Sequence, residues 1–282
     1  MSDQPSDPSD GDPFPIDLSV ARMARVENFL ADGDAHFAVD RAAAESIGEL
    51  SPGGLEGLRG LVQTVKTFVT RAVRYLTGEV GVRQYLHIGM STPTTGMVHD
   101  VAWEIAPEAR VVYASYDPTT LAHVHRLGKD ATEGVVAHVH SDFDDPQAIL
   151  REAAATLDFR QPVALVLPTT LNLIPDDGVA HQIVDDLRAA VTPGSYLIIA
   201  HTSLDIAPEA IAKAIERFNE ILAERYVVRS KDQITALLDG FDLVDPGLVP
   251  LENWHPDDDR PAPKGRRPVP VYGAVGRKPD TR

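Results

Sequence analysis

The sequence predicts an α/β protein built on a doubly wound, mostly parallel sheet of seven strands, preceded by an N-terminal helical extension. Three observations carry that expectation. From about residue 82 short apolar runs alternate with helical patterns, the connections between them are short, and the stretch before residue 82 shows helical periodicity alone. Alternation of this kind implies parallel strands joined by right-handed crossovers, helices on both faces, and a ligand crevice at the carboxyl ends of the strands.

The elements follow in order. Residues 1–17, MSDQPSDPSDGDPFPID, are rich in Asp, Ser and Pro and bury too little apolar surface to order themselves, so a disordered acidic tail is expected. Residues 18–80 form the helical extension. Ser19–Leu30 and Ala38–Leu50 read as short helices around a Gly33-Asp34 break. Ser51-Pro52 reads as an N-cap with proline at the first helical position. Leu55, Leu58, Leu61, Val62, Val65, Phe68, Val69, Val73 and Leu76 then recur at helical spacing, which predicts one long amphipathic helix ending near Gly78.

Residues 81–282 form the sheet domain. Strands are expected at Gln84–Ile88, Val111–Ala114, Val135–His140, Val163–Leu167, Ser195–Ala200, Phe241–Val244 and Val269–Val275. Helices are expected at Thr95–Ile105, Pro118–Leu127, Pro146–Ala154, Ala180–Ala190, Pro208–Glu224 and Lys231–Leu238.

Composition narrows the function classes. With 282 residues and 43% hydrophobic residues the chain can bury a substantial core. It has no cysteine, hence no disulfide, thiol nucleophile or cysteine metal site. No apolar run approaches the roughly 18–20 residues that span a bilayer, and the acidic start is unlike a signal peptide, so a cytoplasmic location is expected. The net charge of −16 argues against nucleic acid as a partner, because phosphates are repelled at long range. The basic cluster Lys264-Gly265-Arg266-Arg267 sits between prolines and reads as a solvated turn. Oligomeric state is not legible.

The chemistry is expected where the first strand ends, at His87-Ile88-Gly89-Met90-Ser91. Glycine directly after the strand lets a ligand approach the backbone closely, and the following helix offers unpaired N–H groups. Ser91 and Thr94 occupy the second and third positions of a G-x-G-x-x-G pattern, which disfavours a nicotinamide dehydrogenase, and no Gly-Lys-Ser/Thr of a P-loop follows.

Matches in order run from about Ser19 to Lys278. They include Ala24-Arg25-Val26, Phe37-Ala38-Val39-Asp40-Arg41, Arg71 through Leu76, Ala109 through Tyr113, Asp117-Pro118, Pro193 through Leu197 and Tyr272 through Lys278. On these residues the chain resembles a divergent member of an actinobacterial family of S-adenosylmethionine-dependent methyltransferases of class I, Rossmann-like type. The resemblance implies that the loop after the first strand holds the methionine part of the cofactor. An acid ending the second strand would bind the ribose, and an acid after the third strand would face the adenine amine. Carried over, the cofactor-binding positions are His87, Gly89, Met90 and Ser91, then Ser115 with Asp117 as a substitute ribose acid, then Asp142 and Phe143.

Departures from the family pattern cluster on these positions. The family's Asp-Ile-Gly-Thr-Gly is His-Ile-Gly-Met-Ser here, its ribose acid is Ser115, its Leu-His is Leu171-Asn172, and its Gly-Lys-Asp-Asn is Gly33-Asp34-Ala35-His36. Replacing an ionised acceptor by a serine costs roughly 1.5–3 kcal/mol, or about one to two decades in Kd. Histidine at 87 removes an attraction for the cofactor's ammonium, or adds a repulsion if protonated. Three readings therefore stand: methyl transfer to an unknown small-molecule acceptor; a methyltransferase-fold protein that has lost or altered cofactor use and serves as a ligand-binding or interaction module; or an enzyme that uses the pocket for other chemistry.

The remaining constellations have weaker pulls. His201, after the fifth strand, is the candidate general base near the crevice, against a structural histidine bonded to a neighbouring loop. His138 and His140 point the same way on a strand and have metal-ligand spacing, whereas His123 and His125 lie on a helix where spacing by two does not converge; no metal is expected. Asp40-Arg41 reads as an ion pair closing the N-terminal helices as a lid, or as part of a structural helix pair. Trp254 and His255 read as lining an entrance, or as the anchor of a loop.

Overall fold

The computed structural model describes residues 16–89, 96–117, 134–206, 208–255 and 268–280. The expected helix Pro118–Leu127, the tail to residue 15 and the basic cluster at 264–267 lie outside the described residues.

Three N-terminal helices come first: α1 (Met23–Leu30), α2 (Ala38–Leu50) and α3 (Gly54–Tyr75). The first starts four residues later than the periodicity suggests, because Ala21 instead pairs as an isolated bridge with Leu222. The third starts at Gly54 rather than at Pro52. The Ser51 hydroxyl turns back to donate to Ile47 O (2.8 Å) and so closes α2, and Gly53 at φ +78° makes the turn into α3. That left-handed value suits glycine.

The sheet contains β1 (Gln84–Ile88), β2 (Arg110–Ser115), β3 (Val135–His140), β4 (Ala164–Pro168), β5 (Tyr196–Thr202), β6 (Asp242–Leu243), β7 (Val249–Pro250) and β8 (Val271–Arg277). Its order is β3-β2-β1-β4-β5-β8-β6, with β7 on β8. Strands β1 to β5 pair in parallel, and β8 is antiparallel to β5, β6 and β7. Seven strands match the expected set, and the two-residue β7 is the addition. The helices are α4 (Val98–Trp103), α5 (Pro146–Ala153), α6 (Asp177–Ala190), α7 (Pro208–Ile221) and α8 (Lys231–Ala236). Proline at the first position and the Asp145 carboxylate, which accepts from Ala148 N (2.9 Å), start α5.

Because successive strand residues face opposite sides, the sheet sorts its side chains into two cores. Leu86, Ile88, Val112, Ala114 and Leu165 pack with α5, α6 and α8. Tyr85, Val111, Tyr113, Ala164 and Val166 pack under α3 and α4. A third cluster, including Ala44, Ile47, Val62, Phe218 and Tyr226, fastens the N-terminal helices to α7. The extension is thus seated beside the carboxyl ends of β4 and β5. Among the described residues no helix is long and apolar enough to cross a membrane.

Candidate active site at the strand ends

The strand order leaves β1 between β2 and β4, so three strand ends with their loops form one rim. At its centre Gly89 donates its N–H to Ala114 O (3.1 Å). Its φ is +150°, and a Cβ there would lie 2.6 Å from Thr170 Oγ1. That hydroxyl donates to Ile88 O (2.5 Å), so the loop after β4 is bolted onto the end of β1 at the one position without a side chain. Met90 and Ser91 lie outside the described residues. Past them, Asp100 accepts from the N–H groups of Gly96 and Met97 (3.0 Å each) and fixes the entry to α4.

His87 is on the α3/α4 side of the sheet, buried, with its ring 5.4 Å from that of Tyr113. Burial pushes its pKa down to about 3, so the imidazole is neutral at physiological pH. Of the two charge states considered for this position, the repulsive one is therefore not populated. Tyr113 in turn bonds His99, accepting from its N–H (3.2 Å).

At the end of β2, Ser115 is buried and its Oγ accepts from Asp117 N (3.1 Å), which folds the chain so that Asp117 is also buried at the rim. Beyond β3, Asp142 is exposed while Phe143 enters the core, 5.0 Å from the Tyr116 ring. A cleft of about 250 Å³ joins Tyr116, Asp142 and Phe143 to Arg22 and Glu224. Glu224 accepts from the Tyr116 hydroxyl (2.6 Å) and from Met23 N (3.1 Å), and it lies 3.5 Å from Arg22 Nη1. Ser115 ends β2 in register with His140 at the end of β3, so Asp117 on one side and Asp142 and Phe143 on the other follow adjoining parallel strand ends.

The loop after β4 is held by a network that the sequence hid. Thr169 at φ +57° leads into a 3-10 turn, Thr170–Leu173. Asn172 Oδ1 accepts from Thr202 N (3.1 Å), its Nδ2 donates to Val227 O (2.6 Å), and its own carbonyl accepts from Val227 N (2.7 Å). Buried Arg229 donates to Leu171 O (2.7 Å), Ile174 O (2.8 Å) and Asp177 Oδ1 (2.8 Å). It also reaches His201 Nε2 (3.0 Å). A guanidinium only donates, so Nε2 accepts and the His201 proton sits on Nδ1, facing Thr202 O (2.9 Å). His201 is fully buried, and burial together with Arg229 holds its pKa down at about 4. Its lone pair is committed to Arg229, which gives the ring the role of a strut in this arrangement rather than that of an open base.

Other sequence features resolve as packing. Asp40 lies against Arg25 (3.2 Å, both fully buried) and accepts from Arg22 N and Phe37 N, whereas Arg41 lies beside His36. Trp254 is fully buried, edge-on to Phe68 (5.5 Å) and Tyr75 (6.1 Å) and stacked on His255 (4.3 Å), so it anchors its loop on α3. His138 and His140 sit on edge strand β3, and among the described residues no group of three or more His, Asp or Glu converges as a metal site.

One group was missed altogether. Glu27, one turn beyond Met23 on α1, has its pKa raised to about 7 by burial, partly offset by Lys66 of α3. Lys66 is shifted down by its own burial and up by Glu27 and Asp100. In the sequence Glu27 is one more acid on a helix face, without a distinguishing signal.

The S-adenosyl methyltransferase family profile matches residues 9–279. The crystal structure of a DUF574 family protein from Streptomyces avermitilis is 31% identical, covers 94% of this chain and 100% of its own, and has a TM-score of 0.88. A Thermobifida fusca protein, described as a candidate methyltransferase, is 31% identical over 93% of this chain and 97% of its own, with a TM-score of 0.83. No curated protein matches the chain.

Proposed function

The chain belongs to the S-adenosyl methyltransferase family, whose cofactor is S-adenosylmethionine, and from that premise we propose that it transfers a methyl group to a small-molecule acceptor in the cytoplasm. The observation that supports this reading is that Gly89, Asp117, Asp142 and Phe143 follow closely on the aligned ends of β1, β2 and β3.

The residues fit the cofactor. A sulfonium nucleoside bearing an ammonium is repelled by a cation; His87 is neutral, and Arg22 of the cleft lies 3.5 Å from Glu224. The cofactor needs acids for its hydroxyls and amine, and Asp117 and Asp142 supply them from neighbouring strand ends. It needs an apolar face for the base, which Phe143 offers. Gly89 holds the loop close to the strand without a side chain in the way. The methyl on the bound sulfonium is itself a reactive electrophile; the chain's task is alignment and exclusion of water. Asn172 and Arg229 serve that task by holding the β4 loop rigid against β5.

The second reading, a fold retained for binding alone, draws on Ser115, whose hydroxyl is engaged with its own chain where the family has an acid. Calorimetry and thermal melts with S-adenosylmethionine and S-adenosylhomocysteine separate the two. At a hundred times Kd a ligand stabilises by about 2.7 kcal/mol. For a chain of this size that raises Tm by roughly 5–10 °C. Absence of any heat or shift at millimolar ligand sinks the methyl-transfer reading and favours the second.

A further inference from the structure

A cavity of about 420 Å³ lies between the N-terminal helices, α7 and the end of β5. None of the residues given roles above in cofactor binding lines it. Its walls are apolar, with Leu61 from α3, Ile211, Ile215 and Phe218 from α7, and Val269 before β8. Among the described residues the charged one on its boundary is Glu56, whose side chain is 85% exposed at the rim. Against these described walls a charged ligand would lose hydration without gaining a partner, which is strongly unfavourable.

Among the described residues three hydroxyl side chains line the cavity: Ser51 donates its own to Ile47 O, and the other two form a bonded pair. Thr202 and Tyr226 are both buried and their hydroxyls are 2.7 Å apart. Two hydroxyls carry two protons and four lone pairs, and one bond between them uses one of each. The pair keeps one proton and several lone pairs to offer a guest. Tyr226 is rigid: its N–H donates to Asn219 Oδ1 (2.6 Å), its carbonyl accepts from Asn219 Nδ2 (3.0 Å), and its ring lies 4.9 Å from that of Phe218. Thr202 is the last residue of β5, and its N–H is held by Asn172 of the β4 loop. The polar end of the cavity therefore abuts the strand-end rim, and the apolar part extends away from it under the helical extension.

On the methyl-transfer reading, on which this step rests, we infer that this cavity is the acceptor pocket and that the acceptor is an uncharged, largely apolar molecule carrying one neutral hydroxyl, held by the Thr202–Tyr226 pair. Size, enclosure and a few placed polar groups on apolar walls are the marks of small-molecule sites.

The test uses the full chain and the uncharged fluorophore N-phenyl-1-naphthylamine, displaced by 2-naphthol, naphthalene or 2-naphthoate, with S-adenosylhomocysteine titrated in parallel by calorimetry. Saturable binding is expected, with 2-naphthol displacing the probe at least tenfold better than 2-naphthoate. Tyr226→Phe should weaken 2-naphthol about five- to tenfold and leave naphthalene unchanged. Ile215→Trp should abolish probe binding while leaving S-adenosylhomocysteine affinity intact, and Leu61→Phe provides the same test if that variant does not fold. Equal displacement by 2-naphthoate, or undiminished probe binding in both filled variants, overturns the assignment while the cofactor titration leaves the family chemistry standing. Displacement of the probe by S-adenosylhomocysteine also overturns it, because the cavity would then belong to the cofactor. Probe binding without any S-adenosylhomocysteine binding removes the methyl-transfer premise itself.

Discussion

Replacing Gly89 by alanine tests the joint between the β1 and β4 ends. A φ of +150° lies in a region essentially reserved for glycine, and forcing another residue there costs about 1–3 kcal/mol. The new Cβ would also sit 2.6 Å from Thr170 Oγ1, so Thr170 must move and give up its bond to Ile88 O. That bond is worth about 0.5–1.5 kcal/mol. Together the two effects come to about 2–4 kcal/mol, or roughly 5–15 °C in Tm for a chain of this length. Thermal and urea melts at pH 7 read the loss. Thr170→Ala removes the colliding oxygen but not the backbone strain, and the remaining Thr170 Cβ lies 3.8 Å from the new methyl, an ordinary contact. The double variant should therefore lose less than the sum of the singles by about 1 kcal/mol. A Gly89→Ala protein that melts within 1 °C of the wild type, or strict additivity with Thr170→Ala, refutes the reasoning.

Three further outcomes follow from named contacts. Arg229→Met strips the donors from the buried Leu171 and Ile174 carbonyls and from His201 Nε2, and should cost about 2–5 kcal/mol in a thermal melt. Arg229→Lys should recover less than half, since an ammonium lacks the planar fork; full recovery contradicts the network. Asp142→Ala should weaken S-adenosylhomocysteine roughly ten- to a hundredfold by calorimetry, the scale of a hydrogen bond to a charged group. Because Asp142 is exposed, its melt should stay within about 0.5 kcal/mol of the wild type, and unchanged affinity would mean the adenine side lies elsewhere. Glu27 has a folded pKa near 7, above the ordinary value of 4.5, so the folded chain holds the extra proton. Its contribution is intact below about pH 4.5 and is lost as pH rises through 7. Solvent still reaches part of the side chain, which keeps the effect under about 3 kcal/mol. Glu27→Gln should match the wild type most closely in urea melts at pH 4 and exceed it at pH 8; parallel pH profiles would contradict the burial of this acid.

The sheet was legible because its central strands are apolar runs of five to seven residues, such as Ala164–Pro168, bounded by clear helix starts like Asp145-Pro146. Helix limits were less so. Ser51 is a good N-cap by type, yet its hydroxyl donates back to Ile47 O and closes the preceding helix, an alternative that residue type alone does not distinguish. Gly89, Ser115, Asp117, Asp142 and Phe143 were named from the family resemblance, and they lie at or just past strand ends because parallel strands deliver their loops to one edge. The supporting residues were not readable. Asn172 and Arg229 act through partners 28 to 58 positions away, and a pattern of period two or 3.6 carries no trace of such pairings. His201 illustrates the same limit. Its position beside the crevice was visible, whereas the guanidinium that takes up its lone pair was not.

The most direct test of the strand-end cofactor site is backbone hydrogen exchange on the full chain, with and without saturating S-adenosylhomocysteine. Slowed exchange is expected at residue 89, at 115–117 and at 141–143, with the far ends of the same strands, near 84 and 110, unchanged. Protection elsewhere on the chain, or none at these three strand ends at millimolar ligand, would contradict a cofactor site built from Gly89, Asp117, Asp142 and Phe143.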